Sequence, residues 1–176
     1  MVTLEQLLDS RDARAACQRK MLQAYPDCTL ICLTVQFPGP EKRSRSSLVV
    51  GEAGLAAVKE AFGQDILQVL VRDLETGYEA YFPVCLPSLA VKERCCEIED
   101  THPLGRLMDI DVLPGKREAG PERSFVQPLS REDLHLPPRR CLLCQRPARI
   151  CMRSHAHSTA DLLAKIDEMV NIFLNS

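Results

Sequence analysis

Two aspartates one residue apart, Asp109 and Asp111, are the residues of this chain best suited to do chemistry; they stand in the run Gly105-Arg106-Leu107-Met108-Asp109-Ile110-Asp111-Val112-Leu113. The two-residue period of a strand puts both carboxylates on one face and Met108, Ile110 and Val112 on the other. Carboxylates so spaced can jointly hold Mg²⁺, a hard ion that prefers oxygen and suits phosphate chemistry. In phosphoryl or nucleotidyl transfer such an ion orients the nucleophile, neutralises developing charge and stabilises departing pyrophosphate. A glycine-bearing turn leading into the strand is the local arrangement that nucleotidyltransferases use. Because Asp-x-Asp is short, the pattern equally suits a strand whose polar face meets water. Glu97, Glu99 and Asp65 are the acids that folding would have to bring alongside as a third ligand.

Charge is unevenly distributed around this pair. Residues 93–111 hold six acids and only Arg94 and Arg106 as basic groups, whereas residues 139–157 hold Arg139, Arg140, Arg146, Arg149 and Arg153 and no acid. An acidic metal pole and an arginine pole would grip opposite parts of one polyphosphate, although solvated surface charge gives the same pattern. His102, just before Pro103, could bind phosphate or move a proton, and equally could cap or pack. Arg106 could meet phosphate or pair with an acid. No serine sits in a G-x-S-x-G elbow, and neither a Walker loop nor a G-x-G-x-x-G run is present.

Cys141, Cys144 and Cys151 form a second constellation in CLLCQRPARICMRSHAH, residues 141–157. Cys141 and Cys144 have knuckle spacing, and His155 or His157 could complete a tetrahedral Zn²⁺ site. The same residues admit buried thiols beside a basic turn and, less readily, a redox pair, since no clear strand precedes the Cys-x-x-Cys. Zinc held by three cysteines and a histidine would be closed and structural. The other cysteines, Cys17, Cys28, Cys32, Cys85, Cys95 and Cys96, lie among apolar residues and read as buried thiols.

These residues need a scaffold, and the hydrophobic pattern supplies one. Thr3 to about Tyr25 reads as a helix opened by a Thr3–Gln6 capping box, with Leu4, Leu7, Leu8, Ala15, Met21 and Leu22 on its apolar face, and Pro26 ends it. Thr29–Phe37 reads as a largely buried strand. A helix follows over Ser47–Phe62, with Leu48, Leu55 and Val58 inward and Gly63 at its end. Asp65–Arg72 and Tyr78–Val84 read as a hairpin around Glu75-Thr76-Gly77. Ser88 is expected to cap a short helix to about Glu99, with Leu89, Cys95 and Cys96 inward. Leu107–Leu113 is the strand that carries the aspartates. Pro114–Arg123 is the best loop or internal boundary, and Phe125–Leu129 could add an edge strand. A last helix spans about Ser158–Phe173, with Leu162, Ile166, Met169 and Phe173 at helical spacing. The expectation is an α+β fold: one domain, residues 1–176, with a mixed sheet, flanking helices and a nucleotidyltransferase-like arrangement.

Composition narrows the function classes. The chain has 176 residues with 22 basic and 24 acidic side chains, a net charge of −2, so a general electrostatic grip on nucleic acid is not expected. Five Phe, three Tyr and no Trp leave little for base stacking. No apolar run reaches the length of a membrane span, and no basic start leads into an apolar stretch with a cleavage site, so a cytoplasmic protein without membrane attachment is expected.

Three blocks carry a resemblance: PGPEK (38–42), HPLGRLMDIDVL (102–113) and SREDLHLPPRRCLLCQRPARICMRSHAHSTADLL (130–163). In this order and spacing they resemble the citrate lyase holo-acyl-carrier-protein synthase family, also called apo-citrate lyase phosphoribosyl-dephospho-CoA transferase. The resemblance extends over nearly the whole chain and implies a soluble bacterial enzyme that matures citrate lyase. Its donor would be 2′-(5″-triphosphoribosyl)-3′-dephospho-CoA and its acceptor a serine of the lyase's acyl-carrier (gamma) subunit, with pyrophosphate released in nucleotidyltransferase-type chemistry. On this reading Asp109, Asp111, Arg106 and His102 are the catalytic candidates, with Mg²⁺ on the aspartates. Lys42, Gly105, Arg139, Arg140 and Arg153 are the donor-binding candidates. Pro137, Cys141, Cys144, Cys151 and His157 also match family positions, whereas His155 looks more variable. Met108 stands where an aromatic residue would be familiar. The resemblance leaves zinc at Cys141, Cys144, Cys151 and His157 open. The alternative function is a non-catalytic zinc-bearing module that binds an acyl-carrier protein.

Overall fold

The computed structural model describes residues 1–35, 37–119 and 127–176. Helix α1 (Leu4–Ala24) opens with the expected capping box, in which Thr3 Oγ1 accepts from the Gln6 amide and Gln6 Oε1 from the Thr3 amide. Pro26 and the turn after it lead into β1 (Thr29–Val35), buried at all seven positions. Helix α2 (Arg45–Phe62) starts on a Ser44–Ser47 capping box and stops at Gly63, whose φ of +45° suits a residue without a Cβ. Strands β2 (Leu70–Leu74) and β3 (Gly77–Val84) form a hairpin around Glu75-Thr76. Helix α3 (Ser88–Thr101), a 3₁₀ turn (Gly105–Leu107) and β4 (Asp109–Leu113) follow. The chain then forms the short α4 (Lys116–Ala119), α5 (Ala148–Arg153) and the long α6 (Thr159–Leu174).

The sheet runs β2-β3-β1-β4. Helices flank it as expected for an α+β fold, but the sheet is antiparallel in every pair among the described residues, not mixed. Two crossover units, β1-α2-β2 and β3-α3-β4, interleave, so a strand of one unit separates the parallel strands of the other. This is the split β-α-β arrangement of ferredoxin-like topology. One face, with Ile31, Leu33, Val35, Ala80, Phe82, Ile110 and Val112, packs against α2, α3 and α6. The other face presents Leu30, Cys32, Tyr81 and Leu113 to Met21, Cys17 and Leu22 of α1.

Several elements depart from the sequence reading. The second strand begins at Leu70 rather than Asp65; Asp65 closes a 3₁₀ turn (Gly63–Asp65), and Ile66 after it makes an isolated bridge to Val84. The fourth begins at Asp109, because residues 105–107 are a 3₁₀ turn. Leu4, Leu8 and Leu89 are exposed rather than inward; Leu89 lies off the α3 stripe of Val91, Cys95 and Ile98. Ser88 caps nothing; its hydroxyl and amide bind the Glu118 carboxylate, which draws α4 onto the start of α3. Pro114 and Gly115 are buried, and Lys116 N–H donates to Pro26 O at 2.8 Å, so the start of the supposed boundary is packed against the α1–β1 turn. Residues 120–123 of that boundary and 125–126 of the supposed edge strand lie outside the described residues; residues 127–129 form no strand, although Leu129 N–H reaches Val112 O. Cys28, Cys32, Cys95 and Cys96 are buried as expected, but Cys85, one residue past β3, is exposed.

Candidate functional site

Strand β4 alternates as its sequence requires: Asp109 is exposed, Ile110 buried, Asp111 half-buried and Val112 buried. Met108, 1% exposed, faces the core away from the carboxylates. The register with β1 sets Asp109 opposite Thr34 and Asp111 opposite Cys32, on the face that α1 covers. Beyond Thr34 the same row continues through Glu79 to Arg72. Glu79 is 2% exposed and accepts from Arg14 Nε (3.0 Å), Arg72 Nη1 (3.0 Å) and Tyr81 Oη (2.7 Å). A buried carboxylate with three charged or polar donors is a satisfied one. Asp111 is different. Burial, and then the charge of Asp109, push its carboxyl up to about 6, while Lys92 and Arg14 pull the other way.

Among the described residues the outer edge of β4 has no partner strand; α3 side chains supply hydrogen bonds at Ile110, and the Leu129 amide supplies one to Val112 O. Lys92 Nζ donates to Ile110 O at 3.1 Å and Ile110 N–H donates to Glu99 Oε1 at 3.0 Å. One peptide segment between the two aspartates is thereby held from both polar ends. Lys92 and Glu99 are 5% and 3% exposed, and burial raises the Glu99 carboxyl, with Arg139 and the Ile110 amide opposing. The sequence reading passed over Lys92 as a site residue and placed Glu99 only among third-ligand candidates. Their signal was present: seven residues apart, both fall on the inward stripe of α3 with Val91, Cys95 and Ile98. Glu97 is exposed, and Asp65 lies in the 3₁₀ turn after α2. Among the described residues no third carboxylate gathers with Asp109 and Asp111 into a ligand cluster.

The turn before β4 is packed tightly. A Cβ on Gly105 would stand 2.4 Å from Ile98 O and 2.6 Å from Glu99 O, so only glycine lets the turn lie on the last turn of α3. His102 ends α3; its Nδ1 accepts the Leu104 amide at 3.0 Å and its ring lies 5.6 Å from that of Phe173. Burial lowers its pKa. Arg139 converges on the same turn, with Nη2 donating to Met108 O (2.7 Å), Arg106 O (3.1 Å) and Gly105 O (3.4 Å). Its Nη1 stands 3.6 Å from both Glu99 Oε1 and Asp109 Oδ1. Arg106 in turn donates to Arg140 O. His102, Gly105, Arg106, Asp109, Asp111, Arg139 and Arg140 are thus linked through one turn and its neighbours. Lys42 hangs from Phe37 O at 2.6 Å, three residues past Thr34, the cross-strand neighbour of Asp109. Arg153 is exposed on α5.

Cys141, Cys144, Cys151 and His157 also come together, each offering a ligand atom within 4.8 Å of the others. A short hairpin makes this possible: Cys141 N–H donates to Arg146 O (2.7 Å) and Ala148 N–H to Arg139 O (2.8 Å), with Arg140 bridged to Pro147. Cys144 and Cys151 sulfurs are 3.5 Å apart. The Arg146 amide and guanidinium, with His157, hold the Cys144 thiol down at about 6, which favours the thiolate a metal needs. His157 Nε2 is buried and has no hydrogen-bond partner among the described residues. Three sulfurs and one imidazole fit a tetrahedral soft-metal site. The histidine of the cluster is His157, not His155.

The chain is similar to known proteins along its length. The family described as apo-citrate lyase phosphoribosyl-dephospho-CoA transferase matches residues 2–173. A Vibrio cholerae serotype O1 protein named "Probable apo-citrate lyase phosphoribosyl-dephospho-CoA transferase" is 39% identical over 176 residues, covering 97% of this chain and 92% of its own. A Streptococcus pyogenes serotype M18 protein of the same name is 33% identical over 175 residues, covering 99% and 88%. An apo-citrate lyase phosphoribosyl-dephospho-CoA transferase of Shigella boydii is 36% identical over 173 residues, covering 97% and 89%.

Proposed function

The chain belongs to the apo-citrate lyase phosphoribosyl-dephospho-CoA transferase family, and from that premise we propose that it is the enzyme that loads the citrate lyase acyl-carrier subunit with its prosthetic group. The donor is 2′-(5″-triphosphoribosyl)-3′-dephospho-CoA. A serine oxygen of the carrier attacks the phosphorus bonded to the ribosyl oxygen, and the bond to pyrophosphate breaks. The observation that carries the reading is the same-face pair Asp109 and Asp111 on a strand pinned at Ile110, with Arg139 beside Asp109.

Two carboxylates without a third fit Mg²⁺, which keeps waters and takes the rest of its oxygens from substrate phosphates. Asp109 and Asp111 would hold the ion, which when bound neutralises charge on the transferring and departing phosphates. The chain's own residues do the rest in this nucleotidyltransferase-type reading. Arg106, Arg140, Arg153 and Lys42 are the cations offered to the donor, and Gly105 lets the turn that carries Arg106 lie close against the end of α3. His102, with Nδ1 accepting, carries its proton on Nε2, the nitrogen that would donate to a phosphate oxygen. Cys141, Cys144, Cys151 and His157 would hold Zn²⁺ in a structural role, four protein ligands leaving no open position for substrate. Residues 1–176 act as one transferase domain, and the reaction belongs to the cytoplasm. No helix of the described residues is long and apolar enough to cross a membrane.

Mass spectrometry of apo-carrier incubated with the chain, donor and Mg²⁺ tests the proposal. The carrier should gain the mass of the phosphoribosyl-dephospho-CoA group as pyrophosphate appears. A competent apo-carrier that gains no mass, with no pyrophosphate released, overturns it.

A further inference from the structure

The cysteine–histidine hairpin and the turn before Asp109 are tied by arginines running in opposite directions. From the hairpin, Arg139 donates to the carbonyls of Gly105, Arg106 and Met108 and stands beside Asp109 and Glu99. From the turn, Arg106 donates to the Arg140 carbonyl. The backbone of Arg139, Arg140 and Cys141 is paired with residues 146–148, so the hairpin residues of both contacts, Arg139 and Arg140, belong to the strand that carries the first cysteine. Two guanidiniums this close repel, and burial together with Arg139 lowers the Arg106 pKa. The arrangement holds because carbonyls and the Glu99 and Asp109 carboxylates face them.

A hairpin this short has little stability alone. An ion drawing Cys141, Cys144, Cys151 and His157 onto itself would fix it, because ligand binding and folding are coupled in small metal sites. The turn, by contrast, has its own anchor in α3. We propose that Arg139 is a positioning residue through which the closed cysteine–histidine metal site sets the pose of the 105–109 turn and so of Asp109. The metal would thus support the transfer reaction from a distance without touching donor or carrier. Arg139 is spent on protein groups rather than on phosphate, which separates this role from donor binding. The kinetic consequence rests on the transferase reading; the structural linkage does not.

Backbone hydrogen exchange over residues 105–110 reads that linkage directly. The protein is compared with one equivalent of zinc and after zinc removal by a chelator, for the wild type, Arg139→Ala and Arg139→Lys, with zinc content measured alongside. In the wild type, zinc removal should speed exchange in this segment about tenfold, in the range by which outer partners of metal sites matter. Arg139→Ala should keep its zinc yet exchange fast from the start, and zinc removal should add little. Arg139→Lys should fall between. In transfer assays Arg139→Ala should lower kcat by about tenfold or more and raise the Mg²⁺ needed for half-maximal rate, with the carrier KM within about twofold. The proposal is overturned if no zinc binds, if exchange at 105–110 ignores zinc in the wild type, or if zinc-loaded Arg139→Ala exchanges like the wild type. Absence of transfer by the wild type would defeat the transferase reading alone, and the exchange data would still decide the linkage.

Discussion

Asp111→Asn should leave a more stable protein that hardly transfers. Burial and the neighbouring Asp109 charge raise the Asp111 carboxyl from 3.8 to about 6. A shift of about two units corresponds to roughly 3 kcal/mol as a ceiling. The sign follows from which state holds the proton. Below about pH 4 the carboxyl is protonated in both folded and unfolded chains, and the site costs nothing. Between about pH 4 and 6 the unfolded chain ionises first, so stability falls as pH rises. Above about pH 6 the full penalty persists. Asparagine removes the charge and keeps the shape, so the variant should gain about 1–2 kcal/mol at pH 8 once partial solvation is allowed for, and nothing near pH 4. Urea unfolding of both proteins from pH 4 to 8, in Mg²⁺-free buffer without chelator, gives the comparison. Adding Mg²⁺ should then stabilise the wild type and not the variant. Transfer should fall by about 10²-fold or more, the loss expected when some 3 kcal/mol of transition-state stabilisation disappears. About 6 is the value without metal, so protons compete with Mg²⁺ for Asp111, and the Mg²⁺ needed for half-maximal wild-type transfer should rise as pH drops through about 6. A variant less stable than wild type at pH 8, or a stability difference that does not vary with pH, would refute the argument from burial. Near-normal transfer would remove the pair from the mechanism.

Other changes probe the scaffold around the pair. Glu79→Gln removes the acceptor charge shared by Arg14, Arg72 and Tyr81, and should cost about 2–4 kcal/mol in urea unfolding; a loss under about 0.5 kcal/mol would mean the buried network is idle. Gly105→Ala pushes a methyl against the Ile98 and Glu99 carbonyls, so it should destabilise by about 1–3 kcal/mol and slow transfer, both absent if the turn can shift freely. Protein purified without chelator should carry about one zinc by plasma mass spectrometry, lost in Cys144→Ser; under about a tenth of an equivalent, with a melt unmoved by added zinc, would remove the metal site.

The legible parts of this molecule are those whose signal is local. Thr3 with Gln6, Gly63 after Phe62, and the alternation of Asp109, Ile110, Asp111 and Val112 are each decided within a few residues, and the structure carries them all. The stretch from Asp65 to Val69 misleads because its apolar residues read as a strand, yet Leu67 and Gln68 are exposed and continuous pairing with β3 begins only at Leu70. Leu89 was assigned inward by its neighbours in sequence, but the stripe of α3 that meets the sheet is set by Val91, Cys95 and Ile98. The antiparallel sheet was out of reach for a related reason. Strand order depends on which crossover each helix makes, and no single segment records that.

The site illustrates how a polar pair can be held on an edge strand. An edge leaves amides and carbonyls open, which invites fraying or pairing with another chain. Here Lys92 and Glu99 close that edge at Ile110, Leu129 N–H takes Val112 O, and Thr34 meets the Asp109 carbonyl at 3.4 Å from the other side. The backbone between two like charges therefore has little freedom to let them move apart. Burial first, and their repulsion second, hold the Asp111 pKa up. A cation at the carboxylates would relieve that repulsion while the backbone stays still, so the geometry is prepared before the ion arrives. The same residues that protect the edge thus fix the backbone between the two carboxylates, and if the pair holds Mg²⁺ as proposed, replacing Glu99 or Lys92 should raise the Mg²⁺ needed for transfer and weaken edge protection together.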